Sequence, residues 1–282
     1  MITVNNLTFS YTNKPYIEGM SFDVKDGEIF GFLGPSGAGK STLQKILIGL
    51  LPRYGGSVLV DGAEAKHAGK GFFEKIGVDF EFPSLYEKLT ARENLAFFGS
   101  LYGKHRDIGG LLQAIGLERD ADKKVSAYSK GMKSRLNFIK ALLHSPRLLF
   151  LDEPTNGLDP SNARVMKDMI LQEKADGKTI ILTTHNMYDA AELCDRVSFI
   201  VDGQIRALDT PTALMTRNHA AALTYAFRTP DGALSQRTVP LARTGEDDTL
   251  QRLVRDNALV SIHSAEPTLN DVFVEITGRR LL

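Results

Sequence analysis

The 282-residue chain has a single cysteine, Cys194, no net charge and no long apolar run. One cysteine cannot form an internal disulfide, which fits a reducing, cytoplasmic compartment. The 34 basic residues are cancelled by 34 acidic ones. The basic excess on which generic nucleic-acid binding relies is therefore missing, and no nucleic acid is expected as a partner. Apolar runs such as Leu148–Leu151 fall far short of the roughly 18 residues that cross a bilayer. The N-terminus, Met1-Ile2-Thr3-Val4-Asn5-Asn6, lacks a basic region followed by an apolar core, so no secretion signal is expected. There is no repeat of 20–50 residues, no low-complexity stretch and no histidine pair at metal-ligand spacing.

The remaining composition, 43% hydrophobic and 24% charged, is ordinary for a soluble globular protein. The length allows one large domain, or a medium one followed by a small one. Patterning predicts strands over Ile2–Leu7, Gly27–Leu33, Ser57–Val60 and Gly77–Phe80, with a helix over Lys40–Leu51 stopped by Pro52. Residues 84–146 change character and read as a helical insert. Leu148–Leu151 and Thr179–Thr183 are short continuous apolar runs, suited to strands buried on both faces of a parallel sheet and joined by a helix over Asn162–Ala175. Val197–Val201 and Gln204–Ala207 form a hairpin around Asp202-Gly203. After a short helix at Thr210-Pro211, a second unit is expected. It comprises a strand Leu223–Arg228, a helix Thr249–Asn257, a strand Leu259–His263 and a last helix with Pro267 near its first turn and Gly278 past its end.

The strongest motif is Gly34-Pro35-Ser36-Gly37-Ala38-Gly39-Lys40-Ser41-Thr42. It fits G-x-x-x-x-G-K-[ST] between a strand and a helix, a phosphate-binding loop whose backbone N–H groups and helix N-terminus face an anion. Lys40 is expected at the β- and γ-phosphates and Ser41 on Mg²⁺. The run Leu148–Leu151 ends in Asp152-Glu153, two carboxylates at the end of a buried strand where ligands of open α/β sheets bind. Asp152 is suited to Mg²⁺ and Glu153 to polarising an attacking water as general base. Such a pair is compatible with a kinase, a GTPase or a motor.

Two further stretches narrow the choice: Tyr128-Ser129-Lys130-Gly131-Met132 ahead of a helix, and Asp152-Glu153-Pro154-Thr155-Asn156-Gly157-Leu158-Asp159-Pro160. With Thr184-His185 after an apolar strand, they closely resemble the nucleotide-binding subunits of ATP-binding cassette (ABC) transporters, over roughly residues 1–215. The resemblance implies an α/β P-loop NTPase fold: a RecA-like core with an antiparallel β subdomain and the helical insert, plus a small C-terminal α/β domain over 216–282. It implies that Tyr11 stacks on adenine. It implies that Ser129 and Gly131 cap the γ-phosphate of a partner subunit's ATP, that Asp159 couples the two sites, and that His185 contacts the γ-phosphate and helps position water and Glu153. Tyr128, Lys130 and Met132 depart from the commonest Leu-Ser-Gly-Gly-Gln signature. In this form the signature looks like that of bacterial drug, antibiotic and lipid-type exporters related to daunorubicin-resistance pumps, and the tail Glu266-Pro267-Thr268-Leu269-Asn270-Asp271-Val272-Phe273 is similar to theirs.

What the resemblance implies is an ATPase subunit on the cytoplasmic face of a bacterial membrane. It would act with a transmembrane permease and a second ATP-binding subunit, identical or paralogous. An importer ATPase and a soluble, non-transport ATPase of the same family are the alternatives. Phe82, Leu85, Tyr86, Phe97 and Phe98 are candidates to line the groove that receives the permease. The family places a glutamine on Mg²⁺ just after the strand that opens the insert; here Glu81 takes that position, and no glutamine occurs between Gln44 and Gln113. A carboxylate offers Mg²⁺ an oxygen at similar reach. The bland alternative has Glu81 in solvent or paired with Lys75.

Overall fold

A computed structural model describes residues 1–216, 222–265 and 267–279. Glu266, which opens the tail motif, lies outside the described residues. In chain order the elements are β1 (Ile2–Phe9), β2 (Ile17–Val24), β3 (Ile29–Leu33), α1 (Lys40–Leu47), β4 (Gly55–Val60), β5 (Ala63–Glu64), α2 (Lys70–Phe73), β6 (Ile76–Asp79), α3 (Ala91–Gly99), α4 (Ile108–Ala114) and α5 (Lys130–Leu142). Then come β7 (Leu148–Asp152), α6 (Pro160–Ala175), β8 (Thr179–Thr184), α7 (Met187–Leu193), β9 (Arg196–Val201), β10 (Gln204–Asp209), α8 (Pro211–Thr216), β11 (Ala222–Arg228), β12 (Leu234–Pro240), α9 (Asp248–Arg255), β13 (Leu259–Ala265) and α10 (Leu269–Thr277).

Two compact units result, the first over Met1–Leu208 and the second beginning at Asp209. The first holds two sheets. An antiparallel sheet has the order β2-β1-β4-β5. A six-stranded sheet has the order β10-β9-β3-β8-β7-β6, with β9, β3, β8, β7 and β6 parallel to one another. Ile29–Leu33 and Thr179–Thr184 are buried at every position, as strands covered on both faces require. Phe30, Phe32, Phe150, Ile181 and Ile200 pack with Ile2, Val4, Phe22 and Leu43 into one core. The order sets β8 between β3 and β7, so three adjacent strands bring the phosphate loop, His185 and the Asp152-Glu153 pair to one edge of the sheet.

One expectation shifts, the end of α1. Strand β2, left unassigned from the sequence, alternates over Met20–Val24, and its pairing with β1 slips between Val4 and Leu7 and again between Leu7 and Phe9. Only the second slip puts an extra residue into β2, and it takes Ile17 out of the period-two series. Helix α1 stops at Leu47 rather than Leu51. Gly49 takes φ +77, a conformation suited to glycine past a helix end, and its N–H closes on the Ile46 carbonyl at 3.0 Å. Pro267 lies near the first turn of α10, just ahead of its cap. Thr268 is the cap, accepting from Asp271 N, and Asp271 reaches back in a capping box.

The second unit is a three-stranded sheet of order β12-β11-β13 with α9 against it. Its core centres on Tyr225, Val239 and Leu250. The buried Tyr225 hydroxyl donates to Asp247, whose carboxylate also caps α9 through Thr249 N and Leu250 N.

Candidate active site

The phosphate loop leaves β3 at Gly34, where the chain runs so close to β9 that a Cβ would fall on the Ile200 carbonyl. Gly37 and Gly39 hold φ of +79 and +110. Helix α1 begins at Gly39 with no side-chain cap, so its first amides are left to the cleft. Lys40 folds over the loop: its Nζ donates to Gly34 O at 2.6 Å and Pro35 O at 3.1 Å. Pro35 O also accepts from Ala38 N, and Ala38 O accepts from Gly203 N at 3.0 Å, which ties the loop to the β9–β10 turn. Ser36, Gly37, Gly39, Lys40, Ser41 and Thr42 line a cleft of about 360 Å³ together with Glu81, Asp152, Glu153 and His185.

The acidic side is held by hydroxyls of β8. Thr183 Oγ1 donates to Asp152 Oδ1, while Ser41 Oγ lies 3.4 Å from Asp152 Oδ2. Burial pushes the Asp152 carboxyl above its usual range, and the nearby Glu81 charge adds to this against the donors Thr183 and Ser41 and the Lys40 charge. The same arrangement acts on Lys40. Burial lowers its ammonium from the usual lysine range, and Glu153, Asp152 and Glu81 pull it back. Glu153 Oε1 accepts from His185 N at 3.0 Å and from His185 Nδ1 at 2.8 Å; Oε2 accepts from Thr184 Oγ1 at 3.0 Å. A carboxylate only accepts, so Nδ1 carries the proton, and the remaining ring nitrogen is the one left for a ligand.

Glu81 is exposed, on the lining of the cleft and not on Lys75. Its Oε1 accepts from Asn156 Nδ2 at 3.3 Å in the cleft, while Lys75 pairs with Asp61 at 2.8 Å. Three carboxylates therefore share a pocket with one ammonium, and the set of Ser41, Asp152 and Glu81 offers only oxygen donors. That suits a hard cation such as Mg²⁺, which takes one or two protein oxygens and completes its shell from phosphates and water. Among the described residues no group of three His, Cys, Asp or Glu could hold a metal ion unaided.

Other positions named from the sequence lie apart. Tyr11 is exposed beside the loop, its hydroxyl 3.0 Å from Thr42 Oγ1 and its ring edge-on to Phe9. Ser129 caps α5 by accepting from Met132 N at 3.2 Å, and Gly131 lies near Leu158 and Asn162. Asp159 caps α6, its carboxylate drawn below the usual range by Asn162. None of these four is among the residues lining the cleft. Sequence reasoning passed over Tyr16, whose hydroxyl donates to Gly37 O at 3.0 Å and whose ring is 5.5 Å from that of Tyr11. It also passed over Thr183 and Thr184 as supports of the two acids. The aromatic ahead of β2 and the paired threonines closing β8 were the signals available.

This geometry has counterparts. The family profile described as "ABC transporter" matches residues 17–156. A fluoroquinolones export ATP-binding protein of Mycobacterium tuberculosis is 50% identical over 100% of this chain and 94% of its own length. A Nod factor export ATP-binding protein of a Rhizobium species is 35% identical over 96% of this chain and 95% of its own. Among solved structures, an ATP-binding cassette described as a dimer in a post-hydrolysis state with ADP and Pi is 26% identical, with a TM-score of 0.66 over 74% of this chain and 98% of that one. A phosphate loop, two acids and a histidine in one cleft, on a chain similar to such proteins from end to end, leave one assignment: the chain belongs to the ABC transporter family and is an ATP-binding, ATP-hydrolysing cassette.

Proposed function

We propose that this cassette is the motor of a bacterial exporter of drugs, antibiotics or lipid-like compounds, working against a transmembrane permease from the cytoplasmic face of the membrane. The relatives named for fluoroquinolone and Nod factor export support the direction of transport. In this reading Lys40 and the loop 34–42 bind the phosphates, Tyr11 the adenine, and Ser41, Asp152 and Glu81 the Mg²⁺. Bound Mg²⁺ supplies charge neutralisation at the β- and γ-phosphates. Glu153 takes the proton of the attacking water and His185 holds Glu153 and the γ-phosphate in register.

The observation that carries the reading is the separation within one chain: Ser129, Gly131 and Asp159 lie outside the cleft that holds Lys40 and Glu153. A second subunit, identical or paralogous, would bring its signature loop over this ATP, with the Ser129 cap and the start of α5 as anion donors. An apolar groove of about 350 Å³ between the core and the insert, lined by Leu50, Phe73, Phe98, Leu101 and Tyr102, fits a helix of the permease. Of the five groove residues expected from sequence only Phe98 lines it. Tyr86 stacks on Phe98, Phe97 meets it edge-on, and Phe82 is exposed. The unit from residue 216 onward would assist dimerisation or regulation.

The test is affinity purification of the tagged chain from its native membranes. A polytopic membrane protein should copurify and raise ATP turnover. Recovery of the chain with no membrane protein, at full activity, would refute the transport reading.

A further inference from the structure

Between β6 and α3 the chain from Phe80 to Tyr86 has no helix or strand of its own, yet it carries Glu81 into the cleft. Its position is set by side-chain bonds from the insert. At the far end, the fully buried Asn94 of α3 accepts from Tyr86 N at 2.8 Å and donates to Tyr86 O at 3.0 Å. At the near end, Asn137 of α5 reaches both sides of Glu81. Its Nδ2 donates to Phe80 O at 3.3 Å and to the Asp79 carboxylate, and its Oδ1 accepts from Ser84 N at 3.3 Å and from Lys140 Nζ at 2.7 Å. Both amide hydrogens and both lone pairs are thus used. Lys140 Nζ also donates to Ser84 O at 3.1 Å and sits over the Phe98 ring, on the wall of the apolar groove.

We propose that Asn137 is a positioning residue for the reaction: clasping Phe80 and Ser84, it sets where the Glu81 carboxylate stands, and through Lys140 it links that carboxylate to the groove. The proposal rests on the reading of Glu81 as a Mg²⁺ ligand. Geometry favours it over simple satisfaction of the buried Asp79. One hydrogen to Asp79 would serve that purpose, whereas three of the four bonds of Asn137 go to the loop and to Lys140. Low local dielectric and mutual polarisation make such a closed network stiff.

The experiment uses the full chain and reads equilibrium ATP binding by calorimetry across a Mg²⁺ titration, beside ATP turnover and hydrogen exchange of the Ser84 amide. Asn137→Ala should raise the Mg²⁺ concentration for half-maximal tightening roughly three- to tenfold, the value of one or two hydrogen bonds. Exchange at Ser84 should quicken, and metal-free ATP binding should stay unchanged. Asn137→Ala leaves Asp79 without its partner and could unfold the chain, so Asp79→Val/Asn137→Ala, which removes both polar groups, is the second variant and should show the same Mg²⁺ shift. In a Glu81→Gln background, Asn137→Ala should add no further shift, because its effect passes through Glu81. A Mg²⁺ curve moved by Glu81→Gln but not by either Asn137 variant overturns the clasp and spares the ligand reading. Unmoved curves in Glu81→Gln overturn both. Additive shifts in the combined variant show Asn137 acting by another route and overturn the proposal.

Discussion

Glu153→Gln separates binding from hydrolysis. The carboxylate now accepts from His185 N, His185 Nδ1 and Thr184 Oγ1. An amide oxygen placed at Oε1 keeps the first two, and its NH₂ can donate to the threonine hydroxyl, which turns to accept. The fold therefore loses little, on the order of 1 kcal/mol. The φ of +51 at this residue is as available to Gln as to Glu. Loss of a general base, by contrast, costs roughly 10²–10⁴ in rate, or about 3–5 kcal/mol of barrier at 1.36 kcal/mol per decade. Removing one of three negative charges from the cleft lowers repulsion toward the phosphates, so ATP affinity should hold or rise. The assay pairs single-turnover phosphate release with equilibrium ATP binding and gel filtration in ATP. Turnover should fall by at least about a hundredfold, and a dimer should accumulate. Turnover within tenfold of the parent at an unchanged melting temperature would refute the assignment of the base, and so would a tenfold loss of ATP affinity.

Lys40→Ala should instead weaken ATP binding by roughly 10–100-fold, since a hydrogen bond to a charged group contributes about 1.5–3 kcal/mol; calorimetry reads it, and an unchanged affinity would contradict the placement of Lys40. A chain ending at Thr216 should still bind ATP, because the cleft is built entirely from residues before Leu208; a folded truncated chain that binds no nucleotide would make the tail part of the site. Burial pushes the Cys194 thiol well above its ordinary pKa. Native protein should therefore resist thiolate-directed reagents through pH 8–9 and react at once when denatured; prompt labelling of the native chain would show the pocket around Cys194 to be open.

Local motifs made the cleft legible. The phosphate loop is one contiguous run of backbone chemistry, and the strands beside it announce themselves as apolar runs because both faces are covered. What distance in sequence hid was the support. Asn137 and Asp79 sit 58 residues apart and Thr183 and Asp152 31 apart, and no local pattern says that an asparagine in an amphipathic helix will meet a particular loop. Strand β2 was legible in the alternation of Met20–Val24 and was passed over, while Gly49 turns the chain at the end of α1 before Pro52 can. The lining of the apolar groove was not legible either. Composition tells which residues of the insert are apolar but not which of them face the groove: of the neighbours Phe97 and Phe98 on α3, only Phe98 lines it.

The left-handed backbone at Glu153 has a consequence for the residue it carries. Along an extended strand successive side chains diverge to opposite faces, so Asp152 and Glu153 continuing β7 would aim apart. The turn at φ +51 redirects the second carboxylate so that both open on the same cleft. A side chain with a Cβ incurs roughly 1–2 kcal/mol there. Glycine, asparagine and aspartate would sit more comfortably, yet glycine brings no acid and the two shorter side chains do not reach His185 as Glu153 does. The residues that would ease the peptide are thus not the ones that arm it, and the strain at this position is tied to the glutamate that the cleft uses.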